Sequence, residues 1–258
     1  MPDHEDMPYV IPGFHPVREV LSRGQLQVEE LWVEQGKESG RMRELFGIAR
    51  ERGIPVRFKK GSELSRLLPG TIHQGIVALA ERFIYAHLDW LISCCEKNRG
   101  RVLLVAADHI TDEGNMGGLI RAAAFFGAQG LILPKDRSAA VSPRVLKRSS
   151  GTCAYLAISR VPNLGRALDR LEREGLWVIG ASGGGSETIY QFDWKRDVVI
   201  AFGSEQRGLS KSVLKRCHQV VSIPSPGNVE SLNVAAACAI TLSEIVRQRN
   251  LPRLSSSG

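Results

Sequence analysis

The chain has 258 residues, of which 43% are hydrophobic and 24% charged, and a formal net charge of +7 at neutral pH. That length suits one large domain or a small and a medium one, and the composition is that of a soluble globular protein. No apolar run approaches the ~20 residues of a membrane span, and five cysteines without a C-x-x-C pair argue against both a disulfide framework and a zinc site. A reduced cytoplasmic protein, with no membrane and no metal, is expected.

In chain order, the first ten residues are acidic and lack an apolar leader, so no secretion signal is expected. Helical spacing covers residues 17–22, a strand is predicted over 26–33, a helix over 41–52 and a strand over 54–58. A short helix over 62–68, with Ser62 as its N-cap, precedes a strand over 73–80. This alternation predicts a small three-layer α/β domain over residues 8–82. Residues 83–100 read as a linker, with a helical stretch over 88–95 and a polar break over 96–100. Alternation then resumes. Strands are predicted over 102–107, 130–133, 154–158, 176–180, 198–202 and 219–223. Helices are predicted over 117–126, 142–149, 164–174, 210–215 and 231–247. That order gives residues 101–250 a mostly parallel sheet with helices on both faces. The serine-rich residues 251–258 are expected to be disordered.

Three polar loops follow buried strands. The first is Thr111-Asp112-Glu113-Gly114-Asn115-Met116-Gly117-Gly118, leading to Arg121 and Gly127. The second is Gly203-Ser204-Glu205-Gln206-Arg207-Gly208-Leu209. The third runs from Ile223-Pro224 to Ser231-Leu232-Asn233. Ligands of open α/β sheets bind beyond the carboxyl ends of strands, so these loops predict one pocket. A guanidinium at Arg121 forks onto a phosphate or pairs locally. Glu205 holds a neighbouring loop, accepts a ligand hydrogen bond, or stabilises a helix N-terminus. Ser231 is a good N-cap, and helix N-termini also take anions and polar ligands. His109 stands just before the first loop and reads as a structural or positioning residue. No G-x-G-x-x-G fingerprint follows a strand, which disfavours a dinucleotide-binding oxidoreductase. Formal charges over residues 1–100 sum to zero, so the positive excess lies in the rest of the chain. Residues 131–160 concentrate Lys135, Arg137, Arg144, Lys147, Arg148 and Arg160 against Asp136, the footprint of a phosphate-backbone binder.

Taken in order, D-x-x-N-x-G-x-x-x-R-x-x-x-x-F-G, G-S-E-x-x-G-L and I-P-x-x-G-x-V-E-S-L-N-V-A resemble the three motifs of the SpoU (TrmH) RNA 2′-O-methyltransferases. One departure is Glu113, where that family usually has proline. Gly13-Phe14-His15-Pro16-Val17 and His73-Gln74-Gly75-Ile76-Val77-Ala78 resemble the ends of the L30e-like substrate-binding domain found in many of these enzymes. The resemblance implies an L30e-like α/β domain, then an α/β catalytic domain with a C-terminal trefoil knot (SPOUT-like), acting as a homodimer. It implies S-adenosylmethionine as cofactor and a ribose 2′-hydroxyl of RNA as acceptor, with a guanosine of 23S rRNA expected. Transfer RNA, an antibiotic-resistance-type rRNA target and a non-catalytic ribosome-assembly factor remain alternatives. The catalytic residues it implies are Asn115, Arg121, Glu205, Ser231 and Asn233. The cofactor-binding set is Ala181, Gly203, Ile223, Pro224, Leu232 and Asn233, and Arg18, Arg144, Lys147 and Arg148 are the RNA-binding candidates.

Overall fold

Buried β-branched runs build two separate sheets in the computed structural model, which describes residues 9–24, 26–37, 40–67, 69–70, 72–227 and 231–250. The predicted tail over 251–258, Leu68 of the third predicted helix, and residues 228–230 of the last loop lie outside the described residues. By internal contacts the chain divides into two units, Met1–Tyr85 with Val141–Tyr155, and Ala86–Ala140 with Leu156–Gly258.

The first unit contains β1 (Tyr9–Pro12), α1 (Phe14–Arg23), β2 (Leu26–Glu34), α2 (Gly40–Glu51), β3 (Val56–Lys59), α3 (Gly61–Leu67) and β4 (Ile76–Phe83). Its sheet has the order β1-β4-β2-β3, with β4 antiparallel to both neighbours and β2 parallel to β3. Strand β1 is too short for an alternation to show, and the sequence reading missed it. Helix α1 buries Val17, Val20 and Leu21, three positions on one helical face. It stops at Gly24, whose φ of 70° lets its N–H reach the carbonyl of Val20. Ser62 does not cap α3. It lies inside that helix, and the Glu63 carboxylate instead accepts the Lys60 N–H at 2.9 Å.

The second unit begins with α4 (Leu88–Glu96), β5 (Leu103–Asp108), α5 (Glu113–Phe125) and β6 (Gly130–Pro134). After β6 the chain leaves it to place α6 (Pro143–Arg148) and a 3-10 turn (Thr152–Tyr155) in the first unit. It returns for β7 (Ala157–Val161), α7 (Leu164–Arg173), β8 (Trp177–Ala181), β9 (Glu187–Thr188), β10 (Val198–Gly203), α8 (Lys211–Leu214), β11 (Gln219–Ser222) and α9 (Val234–Asn250). The seven strands have the order β7-β6-β5-β10-β8-β11-β9, and every pairing is parallel. All six residues of β5 are buried, as are the first five of β10, because helices cover both faces. On one face Leu104, Ala106, Val199 and Ala201 pack with Leu91 of α4 and Leu168 and Leu171 of α7. On the other, α5 packs against α9. A Cβ on Gly118 would lie 2.7 Å from the Cβ of Ala235, so glycine is what lets these two helices approach.

Several element ends differ from the sequence reading. Helix α5 starts at Glu113 rather than 117, because Asp112 caps it by accepting the Asn115 N–H at 2.7 Å. Glu113 is therefore the first helical residue, a position that suits proline and also suits an acid at the positive helix end. The strand predicted over 154–158 forms at 157–161, since Thr152–Tyr155 coil into the 3-10 turn. The last helix begins at Val234, not 231. Asn233 caps it, its Oδ1 accepting from Ala235 and Ala236 at 3.0 and 3.3 Å, so the capping role assigned to Ser231 belongs to Asn233. At the other end of α9 the half-buried Arg249 guanidinium donates to the carbonyls of Arg101, Val102, Trp194 and Arg196 and ties the helix to the sheet.

Candidate functional site

Parallel pairing brings the carboxyl ends of β5, β10, β8 and β11 side by side, and the register sets Gly203 opposite Asp108. Beyond these ends lies a cavity of about 480 Å³. Ala181, Gly203, Ile223, Pro224, Ser231 and Leu232 all line it, as does Glu205. Its floor is apolar, from Ile189, Phe202 and Val221. Ser204 of the second loop adds a hydroxyl, and Ser182 and Thr241 add two that the sequence did not single out, being single small residues in unremarkable surroundings. Gly203 is forced by packing, since a Cβ there would lie 2.1 Å from the carbonyl carbon of Gly208.

A second cavity of about 420 Å³ adjoins the first, and Ser204, Glu205, Gly208 and Val234 line both. Asn115, Asp112, His109, Arg137, Gln206, Arg207 and Ser210 also line it. At the common wall the three loops are tied together. Asn233 Nδ2 donates to Asn115 Oδ1 at 2.7 Å and to Glu205 Oε1 at 2.7 Å. Because Asn233 Oδ1 caps α9, this one amide fixes the start of the last helix, the β10 loop and the first turn of α5. Such an amide–carboxylate junction, holding two cavities edge to edge, can keep two ligands in a fixed mutual geometry.

Beneath the second cavity lies a group the sequence concealed. Asp108 ends the apolar run of β5 and is 1% exposed. Its Oδ2 accepts the Ser210 N–H at 2.6 Å, and its Oδ1 meets Nδ1 of His109 at 2.6 Å. Written as the last letter of a buried strand, an aspartate gives no periodic signal.

Arg121 does not join this constellation. It lies in the third turn of α5, is exposed, and lines neither cavity of its own chain. Six residues separate it from Asn115, which turns it about 240° around the helix at 3.6 residues per turn. The RNA-binding candidates all fall in the first unit. Arg144, Lys147 and Arg148 are exposed on α6, and Arg18 is exposed on α1 in an ion pair with Glu44 at 2.8 Å. Four of the thiols are poor nucleophiles. Burial pushes Cys95 and Cys217 up to about 11 and Cys153 up to about 12, and it raises Cys238 further. Among the described residues no group of three His, Cys, Asp or Glu side chains could hold a metal ion.

The chain is similar to known proteins. Residues 102–243 match the model of the SpoU rRNA methylase family, and residues 10–86 match that of the RNA 2′-O ribose methyltransferase substrate-binding domain. A 23S rRNA (guanosine-2′-O-)-methyltransferase, RlmB, of Pseudomonas aeruginosa is 35% identical over 92% of this chain and 95% of its own. An uncharacterized tRNA/rRNA methyltransferase of Mycolicibacterium gilvum is 36% identical over 94% of this chain and 77% of its own. Among solved structures, the SpoU methyltransferase AviRb of Streptomyces viridochromogenes, in complex with the cofactor AdoMet, superposes with a TM-score of 0.76. It is 28% identical and covers 94% of this chain and 90% of its own.

Proposed function

The chain belongs to the SpoU rRNA methylase family, and from that membership we propose that it transfers a methyl group from S-adenosylmethionine to a ribose 2′-hydroxyl of RNA, a guanosine of 23S rRNA. The fold is of the SPOUT type, with the C-terminal trefoil knot belonging to it. The observation that carries the reading is the Asn115–Asn233–Glu205 junction, standing on the wall between two cavities of unlike character. The first cavity fits the cofactor. Its volume lies in the ordinary range for small-ligand sites, and its apolar floor suits an adenine ring while backbone and hydroxyl groups line its rim. When bound, the cofactor supplies an electrophilic sulfonium methyl.

The chain's own residues do the rest. Phe202, Val221, Ile223 and Leu232 keep water from the first cavity, and Ala181, Gly203 and Pro224 present backbone to its contents. Ser231 and Asn115, one on each cavity, orient the ribose, and Glu205 holds Asn233 so that the loops do not drift apart. Holding the acceptor still contributes several kcal/mol to the rate. Arg18, Arg144, Lys147 and Arg148 attract the RNA backbone. The exposed faces of α5 and α9 carry Phe125 and Ile240, 80% and 36% exposed, and we read this apolar surface as the homodimer contact. Arg121, on the same helix as Phe125, then serves as an orienter of RNA phosphate.

Incubation of the purified protein with S-adenosylmethionine and either 23S rRNA or tRNA, followed by mapping of 2′-O-methyl groups, tests this reading. One methylated guanosine in 23S rRNA is expected. Calorimetric binding of NAD and not of S-adenosylmethionine, or methylation of tRNA alone, overturns the respective half of it.

A further inference from the structure

Helix α1 keeps Val17, Val20 and Leu21 inside and turns Arg18, Ser22 and Arg23 to solvent. The 3-10 turn, which belongs to the same unit, lies against it. Two successive left-handed residues, Ser150 at a φ of 54° and Gly151 at 76°, end α6 and lead the chain into that turn. A Cβ on Gly151 would stand 3.6 Å from the Cβ of Pro16, an ordinary contact, so the chain enters the turn beside the start of α1. The turn ends on Tyr155. Its neighbours Cys153 and Ala154 are buried, but Tyr155 itself is 42% exposed. The Arg23 guanidinium covers its ring, 5.2 Å from the centroid.

A half-exposed tyrosine set among arginines has the chemistry that holds an unpaired nucleobase. Arg18 and Arg23 both favour ionisation of its phenol, yet burial and Glu19 outweigh them and hold it above its ordinary value. At neutral pH the ring therefore adds no negative charge to repel a phosphate. Glu44 pairs with Arg18 at 2.8 Å and Glu19 with Arg23 at 2.9 Å. Exposed pairs of this kind are weak and give way to a phosphate. Arg144, Lys147 and Arg148 stand exposed on α6, and residues 141–155 contain no acid. A guanidinium and a base compete for the same π-face. An arginine lifted from Tyr155 keeps its charge for the adjoining phosphate, so the exchange replaces one stack by another and adds an ion pair.

We propose that Tyr155 is a base-stacking residue, which receives one unpaired base of the RNA on its ring in place of the Arg23 guanidinium, while Arg18 and Arg23 take the phosphates beside that base. The surface thereby selects looped or single-stranded RNA over a duplex, whose bases are stacked on one another and cannot reach the ring. The cations of α6 attract any RNA backbone alike. Tyr155 supplies the discrimination that they lack. This inference rests on the methyl-transfer reading above.

Binding of the full-length protein to a short single-stranded RNA and to an RNA duplex of the same length, at one salt concentration, separates the two contributions. Tyr155→Ala should lose ~10-fold in affinity for the single strand, within the range that one stacked base contributes, and less than ~2-fold for the duplex. Tyr155→Phe keeps the π-face and should bind both as the wild type does. Tyr155→Leu keeps apolar bulk without a π-face. It should unfold near the wild-type temperature, bind S-adenosylmethionine normally and lose single-strand affinity as Tyr155→Ala does. Irradiation of the wild-type complex with a single strand carrying iodouridine should cross-link Tyr155. An equal loss on both RNAs, wild-type single-strand affinity in Tyr155→Leu, or cross-links at other residues alone overturns the proposal and leaves the methyl-transfer reading intact. Absence of methylated RNA from the wild type, with these binding differences present, overturns that reading instead.

Discussion

Asn233 offers a way to separate what holds the fold from what holds the site, because its two ends do different work. Its Oδ1 caps α9 and its Nδ2 joins Asn115 to Glu205. Asn233→Ala removes both. A lost N-cap costs about 1 kcal/mol, and the two exposed side-chain bonds add ~0.5 kcal/mol each at the low end of their range. The sum, about 2 kcal/mol, corresponds to a fall in Tm of ~4–8 °C for a protein of this size. Asn233→Asp keeps the cap, and the helix dipole favours its charge. Its second oxygen, however, faces the Glu205 carboxylate where an N–H donor stood. Two charges ~4 Å apart repel by ~1 kcal/mol in water and by up to ~4 kcal/mol near a protein surface. Asn115 can rotate its amide to meet the new oxygen, but Glu205 cannot. The β10 loop should swing away at little cost to the fold. N233D should therefore melt within ~3 °C of the wild type and yet lose more than tenfold in methyl transfer, whereas N233A loses both. Thermal unfolding and single-turnover transfer to an rRNA fragment measure the two quantities. Wild-type transfer by N233D would refute the idea that this junction holds the two cavities in register.

Arg249→Ala should be among the more damaging single changes, costing ~2 kcal/mol, because it takes a half-buried donor away from four carbonyls; denaturant unfolding measures it. Replacing Arg144, Lys147 and Arg148 by glutamine should flatten the salt dependence of RNA affinity by up to ~0.9 in log–log slope per lost phosphate contact, with S-adenosylmethionine affinity unchanged. The hydrogen bonds from Arg216 hold the Asp169 carboxyl below its usual range. The stability that pair contributes is present above the unfolded-state value near ~3.9 and is lost as pH falls through the lower folded value. Asp169→Asn should thus cost a small amount at neutral pH, under ~1 kcal/mol for a pair this exposed. Denaturation curves of the two proteins should converge as pH falls through that lower value.

What the sequence made legible follows from which signals are local. Strands β5 and β10 are short apolar runs with both faces covered, and they were found within a residue or two. The three loops announced themselves through glycine, asparagine and proline after those runs. Long-range choices were hidden. Gly114 read as loop, yet α5 runs through it as it does through Gly117 and Gly118, because packing against α9 outweighs glycine's low helix propensity. Either Ser231 or Asn233 fits an N-cap, and only the pull of Glu205 and Asn115 on the Asn233 amide distinguishes them. Val145, Leu146, Cys153 and Ala154 announce burial but not the sheet against which they are buried. Strand β9 has two residues and no pattern at all.

The excursion of Val141–Tyr155 has a consequence for how the molecule is made. Its fifteen residues belong to the first unit, but they are translated after β5, α5 and β6 of the second. The first unit therefore cannot complete its core when residue 85 leaves the ribosome. Val145, Leu146, Cys153 and Ala154, buried in the finished protein, arrive later, after two of the seven strands of the second sheet have been made. The two units are not successive beads but interleaved threads. Neither can be cut out at one point of the chain and carried to another protein without leaving a raw apolar surface behind. A tract removed at residue 82 should yield an aggregating remnant rather than a smaller enzyme.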